Sequence, residues 1–484
     1  MQNIREMNRQ FWRRDRLVIA LACLFLLRGS ISSWYRLPQI PLAAFSIQSM
    51  SLEVGRILAL GSAIACFFLI FKSLNLHRFR LGFYAGLFIV LLFPFWINLT
   101  LPNVSLLAAT YADQDYRVSR YVEEKIPEIQ SQWKQNILLA RSVPIRSVFG
   151  LKIENSRFFQ MSSWNKVWLE GFGYHNAFFT FIGKGWSVTS GGLVLAIIGL
   201  YLAEEPNQRT PAFLQDWWRI LPGVSLILAT LLFYLLSINL LNHRLDTLFA
   251  QGAYRPVIEL SRNLTQWYPP VQGDEAFLKR WGEASYYSGE PDTSLVAFVK
   301  GLERDRLGDF AQSAAYYQQA LNLNPQQFLI REYLATALIN QGVDYFKDSD
   351  RPQLPKRPTT SSFPYKSDFL DSPQAVEQPN ITRPAGAIQH FEAALSVFPG
   401  HLEALYDLML ARAVNGEFSA SADAAQQIIQ LQKSFQQPNA ALLGQAYLHL
   451  TWADYHQGDF NRAWQRYRQS TDPKTWKQPI EESP

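Results

Sequence analysis

Long apolar runs set the pattern of the first half of this 484-residue chain. An α-helix rises 1.5 Å per residue, so about 20 apolar residues cross the roughly 30 Å hydrocarbon core of a bilayer. Five runs reach this length, at 17–36, 55–74, 81–101, 186–203 and 220–241. The pattern therefore predicts an all-α chain that begins with a membrane domain, residues 1–241, built as a bundle of about five transmembrane helices.

The first run is interrupted by Arg28 after eleven apolar residues, and 17–27 alone resembles the core of a signal peptide. Because further apolar runs follow and no small-residue cleavage pattern does, we interpret it as an uncleaved first helix. Arg28 is an intramembrane charge without an acidic partner in the other four runs. This favours a side chain that reaches the outer interface, or one that pairs between helices, over an ion or proton path, which normally needs several ionisable groups at membrane depth.

Basic residues flank the runs unevenly, and such residues resist translocation across the membrane. Five arginines precede the first run, and Lys72, Arg78 and Arg80 lie between the second and the third. With the N-terminus in the cytoplasm both clusters stay inside, so the segment 102–185 and everything after residue 241 lie outside. We expect an integral protein of the bacterial inner membrane with an extracytoplasmic C-terminal domain.

The outer segment 102–185 combines a helical pattern with a crowd of aromatic residues. One helical face carries apolar residues at Val118, Val122, Ile129, Trp133 and Ile137. The aromatic residues lie just before the fourth run, which favours an interfacial cap at the level of the lipid headgroups. A lipid or partner site formed by these rings and His175 is the alternative.

The second half repeats a helical pattern with glycine at its turns. The motifs GDF, GEF and GDF begin at Gly308, Gly416 and Gly458. Three positions recur after 74 residues, a 34-residue period plus an insertion of 40: Tyr317 and Phe391, Ala320 and Ala394, and Pro325 and Pro399. This pattern resembles the tetratricopeptide repeat, a pair of antiparallel helices every 34 residues. The resemblance covers about 285–473, and 249–269 has the outline of an earlier helix pair.

The resemblance implies an α-solenoid over residues 242–484, with a concave groove that binds a protein partner. The proline-rich insertion lacks helical periodicity and is predicted to form a flexible loop, 347–386. By analogy with the family, residues of each first helix that turn away from the packing between repeats would line the groove. These partner-binding candidates are Phe298, Leu302, Arg306, Glu332, Thr336, Asn340, Tyr406, Leu410, Trp452 and His456.

Charge and residue usage exclude several function classes. Residues 1–241 hold 23 basic and 13 acidic side chains, whereas 242–484 hold 22 and 27, so the acidic half is unsuited to nucleic acid. No P-loop, GxSxG, HExxH or strand-linked GxGxxG motif is present. His449 and His456 are the closest histidine pair and lack a third nearby ligand, so no metal or other cofactor is expected.

These features favour a membrane-anchored scaffold or assembly protein that contacts lipid and binds a protein partner through its groove. The runner-up is a membrane enzyme resembling envelope glycan polymerases or ligases that carry a repeat domain. The site of such an enzyme would lie in the outer segment, at Arg117, Arg120, Glu123, Glu124 and His175. A transporter subunit is a third class, weakened by the lack of paired intramembrane charges.

Overall fold

A computed structural model describes residues 14–35, 54–71, 76–100, 183–203, 243–267, 269–289, 293–347, 382–433 and 438–471, with single positions between 103 and 122 and between 221 and 241. These residues form α-helices and one short 3-10 helix, and they contain no β-strand. The predicted all-α class is confirmed for this part of the chain.

Four helices come from the apolar first half: α1 (Arg14–Ile31), α2 (Val54–Phe71), α3 (Leu76–Thr100) and α4 (Lys184–Leu202). The first, α1, packs against α2 and α4, and α4 also packs against α3. Glycines allow α1 and α4 to approach closely, because a Cβ on Gly29 would lie 2.2 Å from Thr189 Oγ1. Small residues serve this purpose where helices pack in an apolar environment.

Only α4, among the described helices, is long and apolar enough to cross a membrane, and buried core helices of soluble proteins can share that composition. The apolar parts of α2 and α3, Gly55–Ile70 and Phe79–Phe93, are shorter. Most of the fifth predicted run, 220–241, lies outside the described residues. Arg28 is exposed in the last turn of α1, where the helix dipole favours a positive charge.

In the described part of the second half, helical residues 243–250 are followed by ten α-helices, and each of these ten packs against the next along the chain. They are α5 (Tyr254–Trp267), α6 (Glu275–Ser288), α7 (Thr293–Arg306), α8 (Phe310–Leu323), α9 (Phe328–Lys347), α10 (Thr382–Val397), α11 (Leu402–Val414), α12 (Phe418–Gln432), α13 (Ala440–His456) and α14 (Phe460–Thr471). The 3-10 helix Pro269–Gly273 lies between α5 and α6. This arrangement is helical and repeat-like.

Four turns in this half share one backbone geometry. Gly252, Gly308, Gly416 and Gly458 all have φ between 73° and 84°. At each turn the glycine N–H donates to the carbonyl three residues earlier, and the next N–H donates to the carbonyl five residues earlier. The pair of bonds closes the preceding helix, and the left-handed backbone it requires favours glycine.

Among the described helices, pairing is irregular between Gly252 and Gly308. Two helices, α12 and α13, separate the turns at Gly416 and Gly458, whereas α5, α6 and α7 separate the turns at Gly252 and Gly308. The sequence interval of 19 residues between Gly289 and Gly308 already signals this irregularity. At the insertion, α9 ends at Lys347 and α10 begins at Thr382, four residues before the predicted end of the loop.

Aromatic side chains at repeat-equivalent positions pack directly against glycines. A Cβ on Gly301 in α7 would lie 2.3 Å from Tyr317 in α8, and a Cβ on Gly342 in α9 would lie 2.6 Å from Phe391 in α10. Both rings are fully buried. Tyr317 and Phe391, 74 residues apart, are thus both buried against a glycine of the preceding helix, although Gly301 and Gly342 are 41 residues apart and do not hold equivalent positions in the 34-residue period.

We expect Gly301→Ala to lower the free energy of unfolding of the repeat helices by about 1–2 kcal/mol. Alanine improves helix propensity by about 1 kcal/mol, but forcing a methyl group into packed core costs about 1–3 kcal/mol and the Tyr317 ring is enclosed. Denaturant unfolding of the detergent-solubilised chain measures the change. The matched control is Gly386→Ala in α10, whose Cβ would stay 3.4 Å from Tyr345 and should leave stability unchanged or slightly raised.

Candidate functional site

The structure describes ten residues between Asn103 and Val122, and four of them, Thr110, Tyr111, Gln114 and Asp115, form hydrogen bonds with the second half of the chain. The ten are Asn103, Val104, Leu106, Leu107, Thr110, Tyr111, Gln114, Asp115, Val118 and Val122, here called the groove-bound residues. All are in helical conformation, and eight are buried. Since six of them recur at intervals of three or four, from Val104 to Val122, they form one continuous helical face.

Two hydrogen bonds hold the middle of this face against the start of α11. The Tyr111 hydroxyl donates to the carbonyl of Pro399 at 2.9 Å. The backbone N–H of Leu402 donates to Gln114 Oε1 at 3.0 Å. Tyr111 and Gln114 are three residues apart, so one turn of helix supplies both a donor and an acceptor.

Two further hydrogen bonds fix the register at either side. The Thr110 hydroxyl donates to Glu332 Oε2 in α9 at 3.5 Å. The Gln432 amide at the end of α12 donates to Asp115 Oδ1, and its oxygen accepts the Asn439 backbone N–H at 2.9 Å. Gln432 therefore links the groove-bound residues to the chain segment that leads into α13.

An aromatic cluster surrounds the Tyr111 ring. Phe398 lies edge-on to Tyr111, with ring centroids 6.0 Å apart, and itself contacts Phe328 and His401 at 5.6 and 5.3 Å. Edge-on ring pairs of this kind add about 0.5–1.5 kcal/mol beyond area burial. Burial raises the pKa of Tyr111 above its ordinary value, so the hydroxyl stays protonated and keeps its donor role.

The apolar groove-bound residues join the cores of the two halves. Val104, Leu107, Tyr111, Val118 and Val122 belong to one buried cluster that extends from α1–α4 to α9–α13. We call the residues between the start of α9 and the end of α12 that contact them the inner surface, made of Glu332, Phe398, Pro399, Leu402 and Gln432. The inner surface is therefore covered by the chain's own residues.

Five of the ten predicted partner-binding residues lie in α9 and α11: Glu332, Thr336, Asn340, Tyr406 and Leu410. All five are buried. Glu332 contacts Thr110 directly, and Tyr406 and Leu410 share the buried cluster with the groove-bound residues. The structure thus buries these five candidates and places Glu332 in direct contact with the groove-bound residues.

Three predicted residues lie in α7 and belong to different surroundings. Phe298 and Leu302 are buried in a separate cluster, where the Phe298 ring lies 5.7 Å from Tyr317 and contacts Tyr333. Arg306 is exposed and reaches Glu275 at 3.7 Å. Packing between consecutive helices, rather than a groove, explains the burial of the two apolar residues.

The last two predicted residues lie in α13. Trp452 is buried in a third cluster with Tyr455 and Tyr467. His456 is exposed at the C-terminal end of α13, and its ring stacks on Phe418 at 3.9 Å. The two side chains are thus separated by burial, and of this pair only His456 is open to solvent.

Two buried ionisable groups flank Trp452 in α13. His449 Nδ1 lies 2.8 Å from the Ser421 hydroxyl, and burial lowers the pKa of His449 to about 3. Asp454 faces Arg466 at 2.9 Å. Burial raises the pKa of Asp454 to about 6, although Arg466 and Arg462 act in the opposite direction.

These two groups are expected to have opposite effects on stability between pH 4 and 6. His449 has an ordinary pKa of 6.5, so on acidification the unfolded chain binds the extra proton and stability falls. Asp454 has an ordinary pKa of 3.8, so here the folded chain binds the extra proton and stability rises. Each effect is limited to about 1.4 kcal/mol per pH unit, so they largely offset one another.

We therefore expect Asp454→Asn to steepen the loss of stability from pH 6 to pH 4, and His449→Asn to produce a gain over the same interval. Hydrogen exchange of α13 peptides in the full chain, followed across this range, measures both slopes. The two variants serve as controls for each other. Identical pH profiles in both variants and the natural chain would contradict the assignment.

Sequence reasoning missed the groove-bound residues as a binding element, although it predicted a helix that includes Val118 and Val122. The remaining residues of that predicted face, Ile129 onward, lie outside the described residues. The signal that could have found the element is the polar Gln114 in an otherwise apolar stripe, since a buried amide needs a partner. The partner groups on Pro399 and Leu402 are backbone atoms and carry no such signal.

The alternative glycan site at Arg117, Arg120, Glu123, Glu124 and His175 lies outside the described residues. Among the residues that the structure describes, no three His, Cys, Asp or Glu side chains converge to hold a metal ion. Comparison of the chain with models of known protein families finds no match, and comparison with curated proteins finds none either.

Proposed function

We propose that this chain is a membrane-anchored scaffold or assembly protein whose tetratricopeptide-like repeats lie outside the cytoplasm and bind a protein partner. The observation that carries the proposal is the inner surface, which holds a helical stretch through side-chain and backbone hydrogen bonds. Recognition of a helix in a groove uses the same ingredients, an apolar face and a few polar contacts that set its register. A surface that accepts one helix in this way suits the recognition of another.

The proposed repeat architecture draws support from the second half of the chain. Each of the ten helices packs on the next, and four turns repeat one hydrogen-bond geometry. Repeats of this kind bury their apolar faces only against neighbours, and the stack leaves an extended wall for a partner. A tetratricopeptide-type solenoid with an insertion between α9 and α10 accounts for these features.

The proposed topology draws support from the contacts of the groove-bound residues. These residues follow the third apolar run, whereas their partners in α9–α12 follow the fifth, up to 317 positions later. Groups that form hydrogen bonds lie on the same side of a bilayer, so an even number of crossings must separate them. The runs at 186–203 and 220–241 supply two crossings, whereas α4 alone would supply one.

In-cell photocrosslinking tests the proposed function. Arg306 and His456 are the two exposed residues among the ten partner-binding candidates, so a photoreactive amino acid in place of either should yield a discrete adduct with another protein. Gln319 and Gln426, exposed on the second helices α8 and α12, are the matched controls. No adduct at Arg306 or His456, or the same adducts at all four positions, would contradict partner binding by the first helices of the repeats.

A further inference from the structure

The groove-bound residues and a partner helix would compete for the same atoms. Glu332, Tyr406 and Leu410 were expected to contact a partner, yet they are buried in contact with Thr110 or in the same cluster as its neighbours. A second helix cannot enter this volume while the first remains, because protein interiors are close-packed. Binding of a partner here therefore requires release of the groove-bound residues.

The start of α11 defines what an occupant must supply. The first N–H groups of a helix have no acceptor within the helix, and the cap residue His401 provides no side-chain acceptor. Gln114 fills this role for the buried Leu402 N–H, and Tyr111 satisfies the Pro399 carbonyl. An occupant without such groups would leave buried polar atoms unsatisfied, which is costly.

We propose that the inner surface is an exchange site, which the groove-bound residues occupy at rest and an amphipathic helix of a protein partner occupies when bound. The partner helix carries a hydroxyl or amide donor and, one turn later, an amide or carboxylate acceptor, in the manner of Tyr111 and Gln114. This inference rests on the proposed function, because it specifies how the proposed scaffold recognises its partner.

Covalent connection gives the resting occupant an advantage. A tethered segment is always present near its site, so a helix of equal intrinsic affinity in dilute solution competes poorly until the tethered contacts are weakened. A separate helix can bind only those molecules whose inner surface is free. Its apparent affinity for the chain is therefore lowered in proportion to the fraction of such molecules. Weakening the groove-bound residues should therefore strengthen binding of a separate helix, the reverse of what loss of a binding residue normally does.

The test uses the full chain in detergent and a synthetic peptide of residues 101–124 as the probe. We expect Tyr111→Ala combined with Gln114→Ala in the chain to bind the peptide at least about tenfold more tightly than the natural chain does. A peptide carrying the same two substitutions should bind neither the natural chain nor the substituted chain. The matched control chain, Gln318→Ala with Asn322→Ala, removes an exposed hydrogen bond of 2.8 Å in α8 and should behave like the natural chain.

A second variant makes the test independent of how well the first one folds. Asp115 and Gln432 are hydrogen-bonded, so Asp115→Cys with Gln432→Cys opens the contact and also allows a bis-maleimide to close it again. Crosslinking should reduce peptide binding at least about tenfold. The natural cysteines Cys23 and Cys66 are buried and provide no competing exposed thiols.

Equal peptide binding before and after crosslinking, or by the natural chain and the Tyr111→Ala, Gln114→Ala variant, would overturn the exchange site. These measurements need no cellular partner. If the peptide-binding measurements give the expected results while photocrosslinking in cells captures nothing at Arg306 or His456, the proposed scaffold function fails and the exchange site stands. If adducts form in cells but peptide binding ignores the crosslink, the function stands and the exchange site fails.

Discussion

Tyr111→Ala is expected to weaken the docking of the groove-bound residues by about 3–5 kcal/mol, the range for removing a buried aromatic side chain. The change leaves a cavity beside Phe398 and removes the donor to the Pro399 carbonyl. Hydrogen exchange of peptides covering 103–122 in the full chain measures the docking, because release exposes the backbone amides. The amides of α7, whose buried side chains belong to a separate cluster, should keep their natural exchange rates.

Tyr111→Phe separates the contribution of the ring from that of the hydroxyl group. It keeps the ring contact with Phe398 and removes only the hydroxyl, so we expect a loss of about 1 kcal/mol, the net value of one hydrogen bond. Equal exchange in the natural chain and the Tyr111→Ala variant would mean that Tyr111 does not hold the segment in place.

Phe391→Ala should lower the free energy of unfolding of α9 and α10 by about 3–5 kcal/mol. The ring is fully buried and packs against Gly342, which has no side chain to fill the space left behind. Denaturant unfolding of the detergent-solubilised chain, with hydrogen exchange to locate the effect, provides the measurement.

Phe460→Ala is the matched control for Phe391, because its ring is 42% exposed at the start of α14. We expect a loss below about 1 kcal/mol there, since little apolar surface changes its environment. Equal effects at the two positions would show that the contact between Phe391 and Gly342 is not part of the core.

Local pattern was enough to predict much of the second half. Gly308, Gly416 and Gly458 were identified from three short motifs, and each has the left-handed backbone that ends a helix. Tyr317 and Phe391, related by spacing, are both fully buried and each packs against a glycine of the preceding helix. These features could be predicted because a turn or a helix pair depends on residues close in sequence.

The occupied inner surface could not be predicted in the same way. Gln114 and Leu402 are 288 residues apart, and the contact uses a backbone N–H that any residue could supply. Periodicity predicts that Val118 and Val122 lie on an apolar face but does not identify what covers them. For the same reason the candidates in α9 and α11 were assigned to a partner, although residues of the same chain cover them.

The central claim is that residues 103–122 bind the repeat helices on the outer side of the membrane. The variant for this test carries Asp115→Cys, Gln432→Cys and a protease site within 348–381. A membrane-impermeant bis-maleimide is added to sealed right-side-out vesicles that contain this variant, and the chain is then cleaved at the protease site. The account predicts that the two fragments stay joined after cleavage, and that either single substitution leaves them separate. Joining only after the vesicles are opened from the cytoplasmic side, or no joining at all, would contradict it.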